Sequence, residues 1–276
     1  MNNFFNYIDR PSPVHSLTGA TKLTCLVLWT FAAMTTYDTR YLAVFILLGM
    51  IAFAVSKIRF SDIRGTLLFT MGFMLLSALM LFIFSPEHGV GIYGTRHVIC
   101  ELPGKYALTQ EQLFFQLNVI LKYFASMPVV ILFVSTTQPS EFAASLNRIG
   151  VSYRIAYSVS IALRYIPDIT KEYREISKAN QARGIEMDSR KISLMSRLKN
   201  AAAIIFPLIM SSMDRIEIIA NAMELRRFGE KPKRTWYSAK PFKAGDYICM
   251  LLCACLLGIT VILIKINGSR YYNPFV

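Results

Sequence analysis

Residues 65–85 read GTLLFTMGFMLLSALMLFIFS, an apolar run without a single charge. A helix needs about 20 apolar residues to cross the hydrocarbon of a bilayer, so Gly65–Ser85 is expected to span one. Working outward, Asp246–Ile266 repeats the pattern, with Lys265 at its end where a lysine can snorkel to the interface. Leu23–Tyr37 and Tyr41–Ser56 are shorter runs separated by Asp38, Thr39 and Arg40, and read as a helical hairpin with a tight turn. Phe114–Thr137 is a fifth, with Gln116, Asn118 and Lys122 inside it. Lys122 reads either as a snorkelling cation near one end of its span or as a functional charge at depth.

Composition agrees. The chain of 276 residues is 54% hydrophobic and 17% charged, with a mean hydropathy of +0.42 and a net charge of +13. Such basicity suits nucleic acid, an anionic lipid surface or an acidic protein partner. Together with the apolar excess it fits a membrane protein whose positive charge lies on one side, and not a nucleic-acid binder. The segment 138–243 holds 19 Lys and Arg against 10 Asp and Glu, a net of +9. Lys57, Arg59 and Arg64 lie between the second and third runs, whereas 86–113 balances Arg96 and Lys105 with Glu87, Glu101 and Glu111. The positive-inside rule then gives a cytoplasmic N-terminus (1–22), four spans within 23–137 with an outer loop at 86–113, a cytoplasmic segment 138–243, and a last span and tail over 244–276. The expected fold class is all-α: a polytopic membrane protein with about five transmembrane helices plus a cytoplasmic helical coupling segment in the cell membrane. Residues 1–16 lack the apolar core of a signal peptide.

The inner segment is helical in pattern. Pro139, Gly150, Pro167, Gly184, Pro207 and Gly229 punctuate it. Between Asp168 and Arg183, Ile169, Tyr173, Ile176, Ala179 and Ala182 recur at spacings of three and four, opposite Lys171, Arg174, Glu175 and Lys178. Asp168 and Glu172, beside Lys171 and Arg174, are expected to form a surface ion-pair network. A second amphipathic helix follows Pro207, with Ile216, Ile219, Met223 and Leu225 on one face and Asp214, Arg215, Glu217 and Glu224 on the other. Ala201–Met213 is too short and too closely followed by Asp214 and Arg215 to be a sixth span. The first helix ends in Ala182-Arg183-Gly184, the second in Leu225-Arg226-Arg227 before Phe228 and Gly229. Arginine offers a rigid fork of donors to a carboxylate or carbonyl, and small neighbours permit close approach. Two such ends in one segment point to docking on another protein.

At this point the chain resembles the T component of energy-coupling-factor importers. The likeness rests on Lys22, Thr136-Thr137-x-Pro139, Ala162-Leu163-Arg164-Tyr165-Ile166-Pro167, Ala182-Arg183-Gly184 and Ala222-Met223-Glu224-Leu225-Arg226-Arg227-Phe228. It departs in having Leu225 and Arg227 where Ala and Gly are usual, and Thr18-Gly19-Ala20-Thr21 in place of Asp-Pro-Arg-Thr. The resemblance implies a non-catalytic subunit that binds two cytoplasmic ATPases through Arg183 and Arg226 and embraces one membrane-embedded substrate-binding S component. ATP hydrolysis would then reorient the S component and release a vitamin or metal inside. Chemistry of the chain's own is not expected. It has no GxxxxGK[ST] phosphate loop, no HExxH, no GxSxG and no CxxC pair. No cofactor or metal is therefore expected, and Cys25, Cys100, Cys249, Cys253 and Cys255 read mainly as small apolar residues. The competing classes are a membrane-embedded enzyme, which would need an acidic metal motif, and a secondary transporter, which would need matching halves.

Overall fold

A computed structural model describes residues 12–101, 107–184, 193–231 and 235–275. Its elements run α1 (Pro13–Ser16), α2 (Gly19–Thr35), α3 (Thr39–Ser56), α4 (Phe60–Phe84), α5 (His88–Tyr93), β1 (Val98–Glu101), β2 (Ala107–Thr109), α6 (Gln110–Thr136), α7 (Pro139–Arg148), α8 (Tyr153–Ala182), α9 (Leu194–Leu225) and α10 (Ala244–Ile266). Helices dominate, and α3, α4, α6 and α10 are long and apolar enough to cross a membrane. Helix α2 stops at 17 residues because Thr18 caps its start and the chain turns at Thr36. The chain divides into two compact units, one of residues 1–141 and 240–276, the other of residues 142–239.

In the first unit α2, α3, α6 and α10 pack around Trp29, Leu42, Phe45, Ala125 and Leu256. Trp29 and Tyr41 both meet the Phe45 ring edge-on, at 4.9 and 5.0 Å between centroids. Small residues, Ala32 and Ala33, let the helices close, and both are fully buried. Helix α6 carries Pro128, which breaks its hydrogen-bond ladder. Beside that break, Trp29 Nε1 donates to the Ala125 carbonyl at 2.9 Å. Helix α4 is different, since most of its apolar side chains are exposed, Phe69 at 70% and Phe84 at 81%. Such a surface needs lipid or a partner to cover it.

Several polar groups inside this unit are answered by the chain itself. Lys122 Nζ donates to the Met34 carbonyl at 2.7 Å and lies 3.1 Å from the centre of the Tyr37 ring. It satisfies the last turn of α2, whose carbonyls lack intrahelical donors. Asn118 accepts from Thr39 Oγ1 at 2.8 Å. Asp246 accepts from the backbone N–H of Thr18 and of Lys243, both at 2.8 Å, tying α10 to the start of α2.

The segment 86–113 holds more structure than a loop. It contains α5 and an antiparallel pair, β1 with β2, in which Val98 faces Thr109 and Glu101 faces Ala107. Glu111 is fully buried and accepts from the His97 backbone at 3.0 Å. A Cβ at Gly89 would stand 2.5 Å from the Glu111 carbonyl, so α5 can approach α6 only through a glycine. The tail after α10 returns to this end: Tyr37 donates its N–H to the Arg270 carbonyl at 2.9 Å, and the Tyr37 and Tyr271 rings stack at 4.5 Å.

Two expectations fail in the second unit. Pro167 and Pro207 do not begin or end helices; they lie inside α8 and α9, which run unbroken for 30 and 32 residues. A proline in a helix costs one N–H and clashes one turn back, a cost that packing along the rest of a long helix outweighs. Ala201–Met213 belongs wholly to α9.

Candidate functional site

Helices α8 and α9 form an antiparallel pair. Asn180 reaches Ala203, Glu172 reaches Ser211 and Arg215, and Tyr157 packs on Phe228 beyond the end of α9. The pair is sewn by polar contacts as well as apolar ones. Arg215 Nη2 donates to Glu172 Oε2 at 2.8 Å, and the Ser211 hydroxyl donates to the other carboxylate oxygen. The surface network expected for Glu172 is thus corrected: Glu172 turns onto α9, and Lys171 pairs with Glu175 instead at 3.9 Å. The Ser211 hydroxyl first, and the Arg215 charge with it, hold the Glu172 carboxyl below its ordinary value against the opposing effect of burial.

Arg183 is the C-cap of α8 and Arg226 the C-cap of α9. The two helix ends close alike. In the first, Gly184 donates its N–H to the Gln181 carbonyl at 3.0 Å; in the second, Arg227 donates to the Glu224 carbonyl at 2.8 Å and Phe228 to Met223 at 3.0 Å. The second set is the paired bonding of a Schellman end, which needs a left-handed residue just past the cap. Gly184 supplies it with φ +83 and Arg227 with φ +52. Arg227 therefore occupies the glycine position in backbone as well as in sequence, and the departure from Ala-Arg-Gly leaves the turn intact.

Ala182, Arg183, Gly184, Leu225, Arg226 and Arg227 are all exposed, Leu225 at 86%. Antiparallel pairing does not bring the two triplets together. It sets them at opposite ends: Arg226 stands beside the Tyr157 end of α8, and Arg183 lies 26 positions further along that helix. At about 1.5 Å per residue the separation is about 40 Å.

The turn after Arg226 is fastened by Phe228 and by residues outside the quoted motifs. Phe228 packs on Tyr153 and Tyr157, with ring centres 5.5 and 4.8 Å apart, and Arg154 donates to the Gly229 carbonyl at 2.8 Å. Trp236 Nε1 donates to Asn147 Oδ1 at 3.0 Å and its ring lies 6.2 Å from that of Tyr157. The spacing of four between Tyr153 and Tyr157 was the available clue.

Between α8 and α9 lies an apolar cavity of about 400 Å³, lined among others by Tyr165, Ile169, Arg215, Ile219 and Met223. Ile166, Phe206, Met213 and Ile218, also on this pair, are exposed at 57%, 65%, 59% and 69%. Lys22 sits elsewhere, in the first unit. Its ammonium donates to the Thr136 carbonyl at 2.8 Å, joining two stretches by which the chain resembles T components. Among the described residues no group of three or more His, Cys, Asp or Glu could hold a metal ion.

Comparison with known proteins agrees with this architecture. A family described as CbiQ, cobalt transport protein, matches residues 10–237. An energy-coupling factor transporter transmembrane protein EcfT from Exiguobacterium sibiricum is 27% identical over 60% of this chain and 64% of its own length. The protein of that name from Clostridium kluyveri is 30% identical over 52% of this chain and 58% of its own, and that from Brevibacillus brevis 28% over 91% and 94%. The chain thus spans less than two thirds of the first two relatives and nearly all of the third. A putative ABC transporter ATP-binding protein from Bifidobacterium longum is 33% identical over 42% of this chain and 16% of its own length. The matched region takes in α2, α3, α4 and α6, the antiparallel pair and both arginine ends, and stops before α10; the chain belongs to the CbiQ family, the transmembrane components of energy-coupling-factor transporters.

Proposed function

We propose that the chain links ATP hydrolysis by two cytoplasmic ATPase subunits to movement of one membrane-embedded, substrate-binding S component, for uptake of a vitamin or metal. It would do so without chemistry of its own. The observation that carries this is the pair of matching helix ends, each capped by an exposed arginine and set about 40 Å apart on one antiparallel pair. Two copies of one docking device at opposite ends suit two separate receivers better than one. Each guanidinium would seat in a carboxylate- or carbonyl-lined groove of an ATPase, Ala182 and Gly184 allowing close approach at one end. Leu225 and Arg227 flank the other and add apolar and charged contact there. The match to a protein named as an ATP-binding subunit is in keeping with association of the two kinds of chain. The exposed apolar faces of α8, α9 and α4 would be covered by the S component and by lipid.

Work passes along this route only if the helix ends bind the open and closed forms of the ATPase pair with different strength. The segment 138–243 would then lie on the cytoplasmic side, as its charge excess suggests. The test is purification with the ATPases together with ATP-driven uptake in membranes. Arg183→Glu with Arg226→Glu should abolish both while leaving the amount of inserted chain unchanged. Uptake that persists in the double variant overturns the reading. A cysteine at Ser238 labelled only from outside intact cells would overturn the sidedness.

A further inference from the structure

We propose that Asn180 is the positioning residue for the Arg183 end, clamping it to the proline break in α9; the functional part of this claim rests on the docking role of Arg183. Pro207 has no N–H, so the carbonyl one turn back, that of Ala203, loses its intrahelical donor. Asn180 Nδ2 donates to that carbonyl at 3.4 Å. The Asn180 backbone carbonyl meanwhile shares the N–H of Arg183 with the Ala179 carbonyl, at 3.1 and 3.2 Å. Asn180 thus contributes to the arginine cap with its main chain and to the neighbouring helix with its side chain.

Burial singles Asn180 out. It is 7% exposed, whereas Lys178, Ala179, Gln181, Ala182, Arg183 and Gly184 around it are all exposed. A polar amide turned inward at an otherwise open helix end needs a partner, and the carbonyl freed by Pro207 is one. The match is chemical as well as spatial. The site presents an acceptor, so it takes a donor: Asn fits, and the near-isosteric Asp, ionised and donorless, would set two acceptors face to face. The two ends of the pair are therefore secured differently. Rings of Phe228, Tyr153 and Tyr157 hold the Arg226 end, and an amide at a break in the opposite helix holds the Arg183 end.

The clamp predicts which effects add. Asn180→Ala and Asn180→Asp should each weaken copurification of the intact chain with its ATPases by about two- to fivefold, the loss expected when one part-buried hydrogen bond goes unmade. On an Arg183→Ala background they should cause no further loss, because they act through that arginine; on Arg226→Ala the full loss should remain. Equal losses on both backgrounds, or none in the otherwise native chain, would overturn the positioning role. Geometry is read separately, with nitroxides at Lys178→Cys and Ala202→Cys after the native cysteines are replaced. Their distance distribution should broaden in Asn180→Asp, and an unchanged distribution overturns the clamp. If Arg183→Ala binds ATPases normally while the distribution still broadens, the docking reading has failed and the clamp has not.

Discussion

The two units treat their charged groups in opposite ways. Within residues 12–141 and 240–275 four polar side chains are turned inward and answered: Lys22 by Thr136, Lys122 by Met34, Asn118 by Thr39, Asp246 by two backbone N–H groups. Within 142–239 the antiparallel pair leaves Ile166, Phe206 and Ile218 uncovered and projects Arg183 and Arg226 outward. The first unit still leaves α4 uncovered, with Phe69 and Phe84 among its exposed side chains, but it keeps these cations inside. The second presents its two capping arginines at the surface. On the docking role proposed above, the contrast is one between a scaffold and an interface.

The sharpest way to break that contrast is to reverse the exposed charges. Arg183→Glu with Arg226→Glu should weaken ATPase binding more than 100-fold, since each site would lose a charged contact worth about 2–5 kcal/mol, with little effect on thermal unfolding of the isolated chain. The mirror experiment belongs to the first unit. Lys122→Met should lower stability in detergent by about 2 kcal/mol, because the Met34 carbonyl loses its donor and Tyr37 its cation. ATPase binding at matched amounts of folded chain should be unchanged. Reversal of these two patterns would show that scaffold and interface had been assigned to the wrong units.

Smaller effects sharpen the picture within the pair. Glu172→Gln should loosen α8 from α9 by about 1 kcal/mol, its carboxylate being partly screened. The pH sign follows from the depressed carboxyl. Its contribution is complete above the unfolded value of about 4.3 and disappears as pH falls through the lower folded value. Amide exchange in α8 and α9, compared between pH 6 and the acid side of that window, should show more opening in acid for the native chain and a flatter response for Glu172→Gln. Least of all, Arg227→Gly should stabilise the second helix end by about 1 kcal/mol, because φ +52 suits glycine better than arginine. A melting point lower than native would mean that the Arg227 side chain contributes more than its backbone strain costs.

What could be read from the chain letters follows physical lines. Apolar runs such as 65–85 announced their helices because length and hydropathy alone decide a span. The arginine ends were legible too, since Gly184 and Gly229 punctuate them. The hairpin of β1 and β2 was not legible, being strands of four and three residues that depend on buried Glu111 and Gly89 rather than on local alternation. Nor were the long helices, because Pro167 and Pro207 carry a strong local signal that tertiary packing overrides. Glu172 was misjudged for the same reason: its sequence neighbours are basic, but its partners lie 39 and 43 positions away.

One consequence follows from placing the arginines at opposite ends of an antiparallel pair. Treated as a stiff beam pivoting at its middle, with arms of about 20 Å, the pair turns a tilt of some 10° into opposed strokes of about 3–4 Å. Equal loads in one direction across the beam shift it bodily, whereas unequal or opposed loads across it rotate it. If both arginines dock as proposed, the axis joining Arg183 to Arg226 would act as a lever whose output depends on the difference between its two loads.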